Sequence, residues 1–331
     1  MASTLKNVAL LLAATAISCA AAELGWRVHL SRTGRGFFDD PREFTSPFFT
    51  TYDEPRPILV GRDLLYRNGS VAREKGPKEI RVICLGGSTT VNFRAGISYP
   101  ELLEERLAAR RSDYTVRVLN AGGEGYSTAH LLVNLSLRNL DAQPDIVIVY
   151  ENINDLSAVW FGDDVLPDYA NKYKTDFYLG FRHRTGVLAG VAKISRLARF
   201  AFSRIQALEF PGHETNKRAP YDRGLTIFKR NLRNIVAIAG ANHVRILLAS
   251  QPARSDLRIH PGFLSYNRAI GQIAAEQGVA FIDIADTVTD DRLFLDDTIH
   301  NNRAGVEAVA EALYQPLLTL VEEVARDRNL Q

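Results

Sequence analysis

Five short apolar runs, each divided from the next by a stretch of helical periodicity, restrict what residues 79 onward can fold into. They are Ile80-Arg81-Val82-Ile83-Cys84, Val116-Arg117-Val118-Leu119, Asp145-Ile146-Val147-Ile148-Val149-Tyr150, Val244-Arg245-Ile246-Leu247-Leu248 and Val279-Ala280-Phe281-Ile282. The third is apolar on both faces, as a strand covered from two sides must be. Ser98-Tyr99-Pro100-Glu101 reads as a capping box with a proline in the first turn, opening a helix through about Arg110. A second helix is expected from about Thr128 to Leu140, burying Leu131, Leu132 and Leu135. The last carries Val306, Val309, Leu313, Leu317, Leu320 and Val324 on one stripe. Strands alternating with helices give an α/β fold: a three-layer α/β/α sandwich around a mainly parallel five-stranded sheet.

A hydrophobic segment precedes this region. Lys6 is followed by Val8 to Ala22, fifteen residues without charge, and Glu23 ends the run. That length suits a signal-peptide core better than a full span of about 20 residues, and Ala20-Ala21-Ala22 offers a small-residue cleavage pattern. Leu24-Gly25-Trp26 would extend the segment to an interfacial tryptophan, which favours membrane association through residues 8–26. Arg27, Arg32 and Arg35 run against the charge bias of an exported C-terminus, and a buried core helix is the third reading. Residues 1–30 are therefore expected to be a signal peptide or a membrane anchor. The protein is placed in the cell envelope, either anchored or periplasmic or secreted after cleavage.

Residues 31–77, rich in glycine, proline and phenylalanine, read as an irregular arm with short strands at most. The sandwich is expected over residues 78–327, interrupted at about 156–220 by an insertion far longer than an ordinary connection. Within the insertion Val187, Leu188, Val191, Ile194, Leu197, Ala201, Ile205 and Leu208 form an apolar stripe. Lys193, Arg196, Arg199 and Arg204 oppose it as a solvated basic face. It is read as a core-covering helix or as a lid or membrane-surface helix.

The formal net charge of +2 gives no reason to expect a nucleic-acid partner. The two cysteines, Cys19 and Cys84, make neither a disulfide framework nor a metal site, and Cys84 reads as a core residue. His130, His183, His213, His243 and His260 show no metal-ligand spacing.

Chemistry concentrates after the strands. Ser88, in Leu85-Gly86-Gly87-Ser88-Thr89, is a glycine-flanked hydroxyl at the carboxyl end of a strand, where clefts in parallel sheets lie. In Asp297-Thr298-Ile299-His300, His300 supplies a base for that serine and Asp297 a carboxylate to orient the base, with Asp296 as the fallback. Two further loops end strands at the same edge. Asn120-Ala121-Gly122-Gly123-Glu124-Gly125 lets backbone N–H groups approach a ligand, and Glu151-Asn152-Ile153-Asn154-Asp155 offers an amide. The backbone N–H groups of Ser88 and Gly125 and the Asn154 side chain make a candidate oxyanion hole. Glu124 reads as a surface charge or a substrate contact.

These four blocks, in this order, resemble those of the SGNH hydrolases, the GDSL-like esterases and lipases, over about residues 79–325. The resemblance implies Ser88 as nucleophile, Gly125 and Asn154 as oxyanion donors, and Asp297 and His300 as the rest of a triad. It also implies a flavodoxin-like sandwich with no metal or organic cofactor. Two positions depart from the pattern: Gly87 stands where many members carry aspartate, and Asn152 where the family usually places glycine. The expected function is a serine-dependent O-acyl esterase on carbohydrate or small esters. The alternatives are acyl transfer to a glycan, lipid ester or thioester hydrolysis, and a catalytically silent envelope binding protein. A dinucleotide-binding protein is disfavoured, because Gly86-Gly87 lacks the spaced glycine fingerprint.

Overall fold

A computed structural model of the chain describes residues 2–32, 56–110, 113–160, 165–169, 172, 195–198, 200–201 and 221–330. The chain divides into two compact units, Met1–Thr50 with Lys172–Thr215 and Thr51–Asn171 with Asn216–Gln331.

The larger unit opens with an antiparallel meander of β1 (Ile58–Val60), β2 (Asp63–Tyr66) and β3 (Gly69–Ala72). The five apolar runs then become β4 (Glu79–Gly86), β5 (Thr115–Asn120), β6 (Ile146–Tyr150), β7 (Arg245–Ala249) and β8 (Ala280–Ile282). All neighbours are parallel, in the order β5-β4-β6-β7-β8. Counted within this sheet the order is 2-1-3-4-5, the flavodoxin-like arrangement, whose chain reverses direction of winding between its first and third strands. That switch point, between the carboxyl ends of β4 and β6, is where sheets of this kind bind ligands.

Because successive strand residues face opposite ways, each strand feeds two cores. Val82 and Cys84 of β4, Ile146 and Ile148 of β6, and Leu247 of β7 pack with helices α3 (Tyr99–Ala108) and α8 (Arg303–Asp327). Ile83, Leu85, Val147, Val149 and Leu248 pack on the other side against α4 (Thr128–Leu137), α6 (Asp222–Ala241) and α7 (Pro261–Gln277). Every residue of β6 is buried, as its unbroken apolar run requires. The α8 stripe from Val306 to Val324 is buried throughout. The second helix stops at Leu137 rather than Leu140, and a 3₁₀ turn over Asn139–Ala142 completes the connection.

An edge strand exposes unpaired backbone groups. At β5 the β2–β3 turn covers them. Arg67 N–H donates to Asn120 O at 3.3 Å, Asn68 Nδ2 to Val118 O at 2.7 Å, and Asn120 N–H to Asn68 Oδ1 at 2.9 Å.

In the smaller unit, α1 (Ala2–Arg32) is one continuous helix. Its portion Lys6–Arg32 is the one helix among the described residues long and apolar enough to cross a membrane. Leu10, Leu11, Leu12 and Ile17 stand exposed on it. Glu23 accepts hydrogen bonds from Ser195 Oγ at 2.7 Å and from the backbone N–H groups of Arg196 and Leu197, both at 2.9 Å. Trp26 packs on Phe200 with ring centroids 4.5 Å apart. Arg196, expected on a solvated basic face, is buried instead. Its backbone lies on Glu23 through the bonds at 195–197. Of the apolar stripe only Leu197 and Ala201 lie within the described residues.

Candidate active site

Ser88 opens the four-residue helix α2 (Ser88–Val91), directly after β4 and half-buried. The first N–H groups of a helix have no acceptor within it, so the backbone N–H of Ser88 needs none of the helix's own carbonyls and can serve a ligand. His300 arrives from a loop pinned on three sides. Leu295 N–H donates to His300 O at 2.8 Å, Asn302 N–H to Leu293 O at 3.0 Å, and Arg254 N–H to Thr298 O at 3.0 Å.

The three expected side chains meet in sequence. His300 Nε2 lies 2.8 Å from Ser88 Oγ, and His300 Nδ1 lies 2.8 Å from Asp297 Oδ2. Asp297 divides its work between its oxygens. Oδ1 accepts the backbone N–H groups of His300 at 2.8 Å and Ile299 at 3.2 Å, which sets the angle of the carboxylate. Oδ2 faces the ring and also accepts from Arg94 Nη1 at 3.0 Å. Partial burial works to raise the Asp297 pKa, but these hydrogen bonds and the nearby imidazole outweigh it and hold the group below the usual aspartate value. With the carboxylate ionised at Nδ1, that nitrogen carries the proton and Nε2 is left to accept from the serine.

The glycine loop after β5 is clamped against the end of β4 and α2. Gly123 N–H donates to Gly86 O at 3.0 Å, Asn120 Nδ2 to Thr90 O at 2.8 Å, and Arg67 Nε to Gly122 O at 2.6 Å. Gly125 has φ +70°, a left-handed conformation that glycine adopts without strain. Glu124 beside it is half-buried.

The third block continues from β6 into α5 (Ile153–Ala158), which carries Asn154 in its first turn. Asn152, the second departure from the family pattern, has φ −152°, outside the left-handed region that would call for glycine. Its side chain fixes the loop, donating to Phe263 O at 3.1 Å and Asn267 Oδ1 at 2.8 Å. Asn154 Nδ2 lies against Gly87, 2.5 Å from where a side chain at that position would begin.

Four supporting residues escape motif reasoning: Asn68, Arg94, Glu151 and Gln251. Gln251 joins two blocks, donating from Nε2 to Thr89 Oγ1 at 2.9 Å and accepting from Ile153 N–H at 2.9 Å. A lone polar residue just past a strand end was the available signal for Gln251 and Glu151. Nothing local marks Arg94 or Asn68. Among the described residues no cluster of histidine, cysteine or acidic side chains could hold a metal ion. Burial pushes the Cys84 thiol up, so it stays protonated.

The GDSL-like lipase/acylhydrolase family model matches residues 84–308, more than half of the chain. Among solved structures the chain is similar to an acetylxylan esterase from Geobacillus stearothermophilus, at 18% identity, covering 72% of this chain and 93% of that one, with TM-score 0.47. An alpha/beta hydrolase from the metagenome of Lake Arreo, Spain, matches at 17% identity over 73% and 96%, TM-score 0.47. A lipase/acylhydrolase from Enterococcus faecalis matches at 17% identity over 71% and 94%, TM-score 0.46. Comparison with curated protein sequences finds no match.

Proposed function

The chain belongs to the GDSL-like lipase/acylhydrolase family and is a hydrolase of ester bonds, and from that premise we propose that it is an O-acyl esterase working through an acyl-enzyme on Ser88. The observation that carries the reading is the continuous relay from Ser88 Oγ to His300 to Asp297, with both links at 2.8 Å. As Oγ bonds to the ester carbonyl carbon, its proton passes to His300 Nε2 and the carbonyl oxygen takes the negative charge. The Ser88 and Gly125 backbone N–H groups and Asn154 Nδ2 receive that charge, each donor lowering the barrier by roughly 3 kcal/mol. Asp297 stabilises the imidazolium. The alcohol then leaves with the proton from Nε2, and a water deprotonated by the same nitrogen releases the acid and restores Ser88.

Asn154 beside Gly87 and Arg94 on Asp297 are polar, which favours small or carbohydrate esters over long acyl chains. No step calls on a metal or organic cofactor. The chain acts at the cell envelope, and α1 stays attached as a membrane anchor. Two features support retention: the helix continues through Ala20-Ala21-Ala22 to Arg32, and Glu23 just beyond is bound to residues 195–197.

The test is p-nitrophenyl acetate hydrolysis by the purified full chain in detergent. Ser88→Ala, with an unchanged melting temperature, is expected to reduce turnover to background. Turnover equal to wild type in that variant would remove the assignment.

A further inference from the structure

Gly87 is a glycine for want of space rather than for its backbone. It precedes Ser88 with φ −86° and ψ −152°, extended geometry open to any residue. A Cβ built there would stand 2.3 Å from Glu151 Oε2 and 2.5 Å from Asn154 Nδ2. Glu151, the first residue of the block that supplies Asn154, is 1% exposed, its carboxyl enclosed against Gly87. Its other oxygen, Oε1, accepts the backbone N–H groups of Asn152 at 3.1 Å and Asn154 at 2.9 Å.

One distance is informative. In an aspartate the Cβ-to-Oδ separation, built from bonds of about 1.5 and 1.2 Å, is about 2.4 Å. Glu151 Oε2 therefore stands at the distance from that Cβ at which a carboxylate oxygen of an aspartate at position 87 would lie. The two sites can supply one carboxylate between them but cannot hold two, because like charges at contact in a buried site are strongly unfavourable.

Resting on the esterase reading above, we infer that Glu151 is a positioning residue for catalysis. It delivers from the third block the carboxylate that position 87 lacks and holds the first turn of α5 so that Asn154 presents its amide to the oxyanion. Gly87 and Glu151 form a coupled pair. The effect of Glu151 passes through Asn154, whose backbone N–H donates to it.

The experiment is a mutant cycle on the full chain in detergent, reading kcat, KM and melting temperature with p-nitrophenyl acetate. Complete loss of one oxyanion donor costs about 100- to 1,000-fold in kcat, so misplacing one is expected to cost about 10- to 100-fold. Glu151→Ala should lower kcat by that factor with KM within about threefold, the signature of an interaction made only in the transition state. In an Asn154→Ala background the same change should have almost no further effect on kcat. Gly87→Asp alone should lower both kcat and melting temperature, and combining it with Glu151→Ala should recover at least tenfold of the kcat lost in Glu151→Ala. Wild-type kcat in Glu151→Ala, an undiminished cost in the Asn154→Ala background, or no recovery in the double variant would each overturn the inference. Ser88→Ala is run alongside. If it abolishes turnover while the cycle shows no coupling, the positioning role alone fails; if it leaves turnover intact, the esterase reading fails first.

Discussion

Replacing Asp297 with asparagine tests the orientation of the relay with little change in shape. In the native loop Oδ1 accepts two backbone N–H groups and Oδ2 faces His300 Nδ1 at 2.8 Å. An asparagine keeps the backbone bonds only with its carbonyl oxygen in the Oδ1 place, which turns its NH₂ toward the ring. Two donors cannot face each other, so Nδ1 becomes the acceptor and the proton moves to Nε2. That nitrogen then cannot take the Ser88 proton. The variant also loses the negative charge that stabilises the imidazolium. Tautomer reversal of this kind in a serine triad costs about 10⁴-fold in kcat, or about 5 kcal/mol of barrier. Purified protein would be assayed for kcat/KM on p-nitrophenyl acetate beside a thermal melt. A melting temperature within a few degrees of wild type and kcat/KM down by three orders of magnitude or more is the expected pair. A kcat/KM within tenfold of wild type, in folded protein, would refute the relay as drawn.

Other consequences follow from the same geometry. Arg94→Ala removes a cation from Asp297 Oδ2. The ion pair is half-exposed and contributes about 0.5 kcal/mol, so kcat/KM on p-nitrophenyl acetate should fall by about twofold, and a loss above tenfold would contradict a merely supporting contact. Asp297, held below its ordinary pKa when folded, contributes stability that is present above the unfolded value and lost as pH falls through the folded one. In Asp297→Asn the fall in melting temperature on acidification below about pH 4 should therefore be shallower than in wild type. Asn68→Ala removes both side-chain bonds to β5, costs about 1–2 kcal/mol, and should lower the melting temperature by about 4 °C with a loss of activity at the loop it supports. Iodoacetamide should leave native activity intact, because Cys84 is buried and protonated. In cell fractions the full chain should stay with membranes after an alkaline carbonate wash, with residues upstream of Glu23 still present by mass spectrometry.

The sandwich was legible because its signals are local. Strand identity lay in four- to six-residue apolar runs, and the helices in capping residues and stripes, so β4 to β8, α3 and α8 lie where the pattern puts them. The meeting of Ser88, His300 and Asp297 joins residues that carry local marks of their own: Ser88 by small neighbours at a strand end, and His300, 212 residues away, by its short spacing from Asp297. The supports Asn68 and Arg94 carry none. Asn68 meets β5 across 52 residues and Arg94 meets Asp297 across 203, and only the folded topology makes those pairs neighbours. Arg196 shows the converse error. Periodicity placed it outward; it is buried, with its backbone bonded to Glu23, 173 residues away, a neighbour that periodicity does not reveal. Gly87 read as a departure from a pattern; its reason, the Glu151 carboxylate, lay in a different block.

The most direct measurement is the site of covalent capture by a fluorophosphonate. Wild-type protein is predicted to yield one adduct, on the oxygen of Ser88, with activity lost in step with labelling, and Ser88→Ala is predicted to take up none. An adduct on another residue that accounts for the lost activity, or full hydrolysis by protein that never reacts with the probe, would contradict the account.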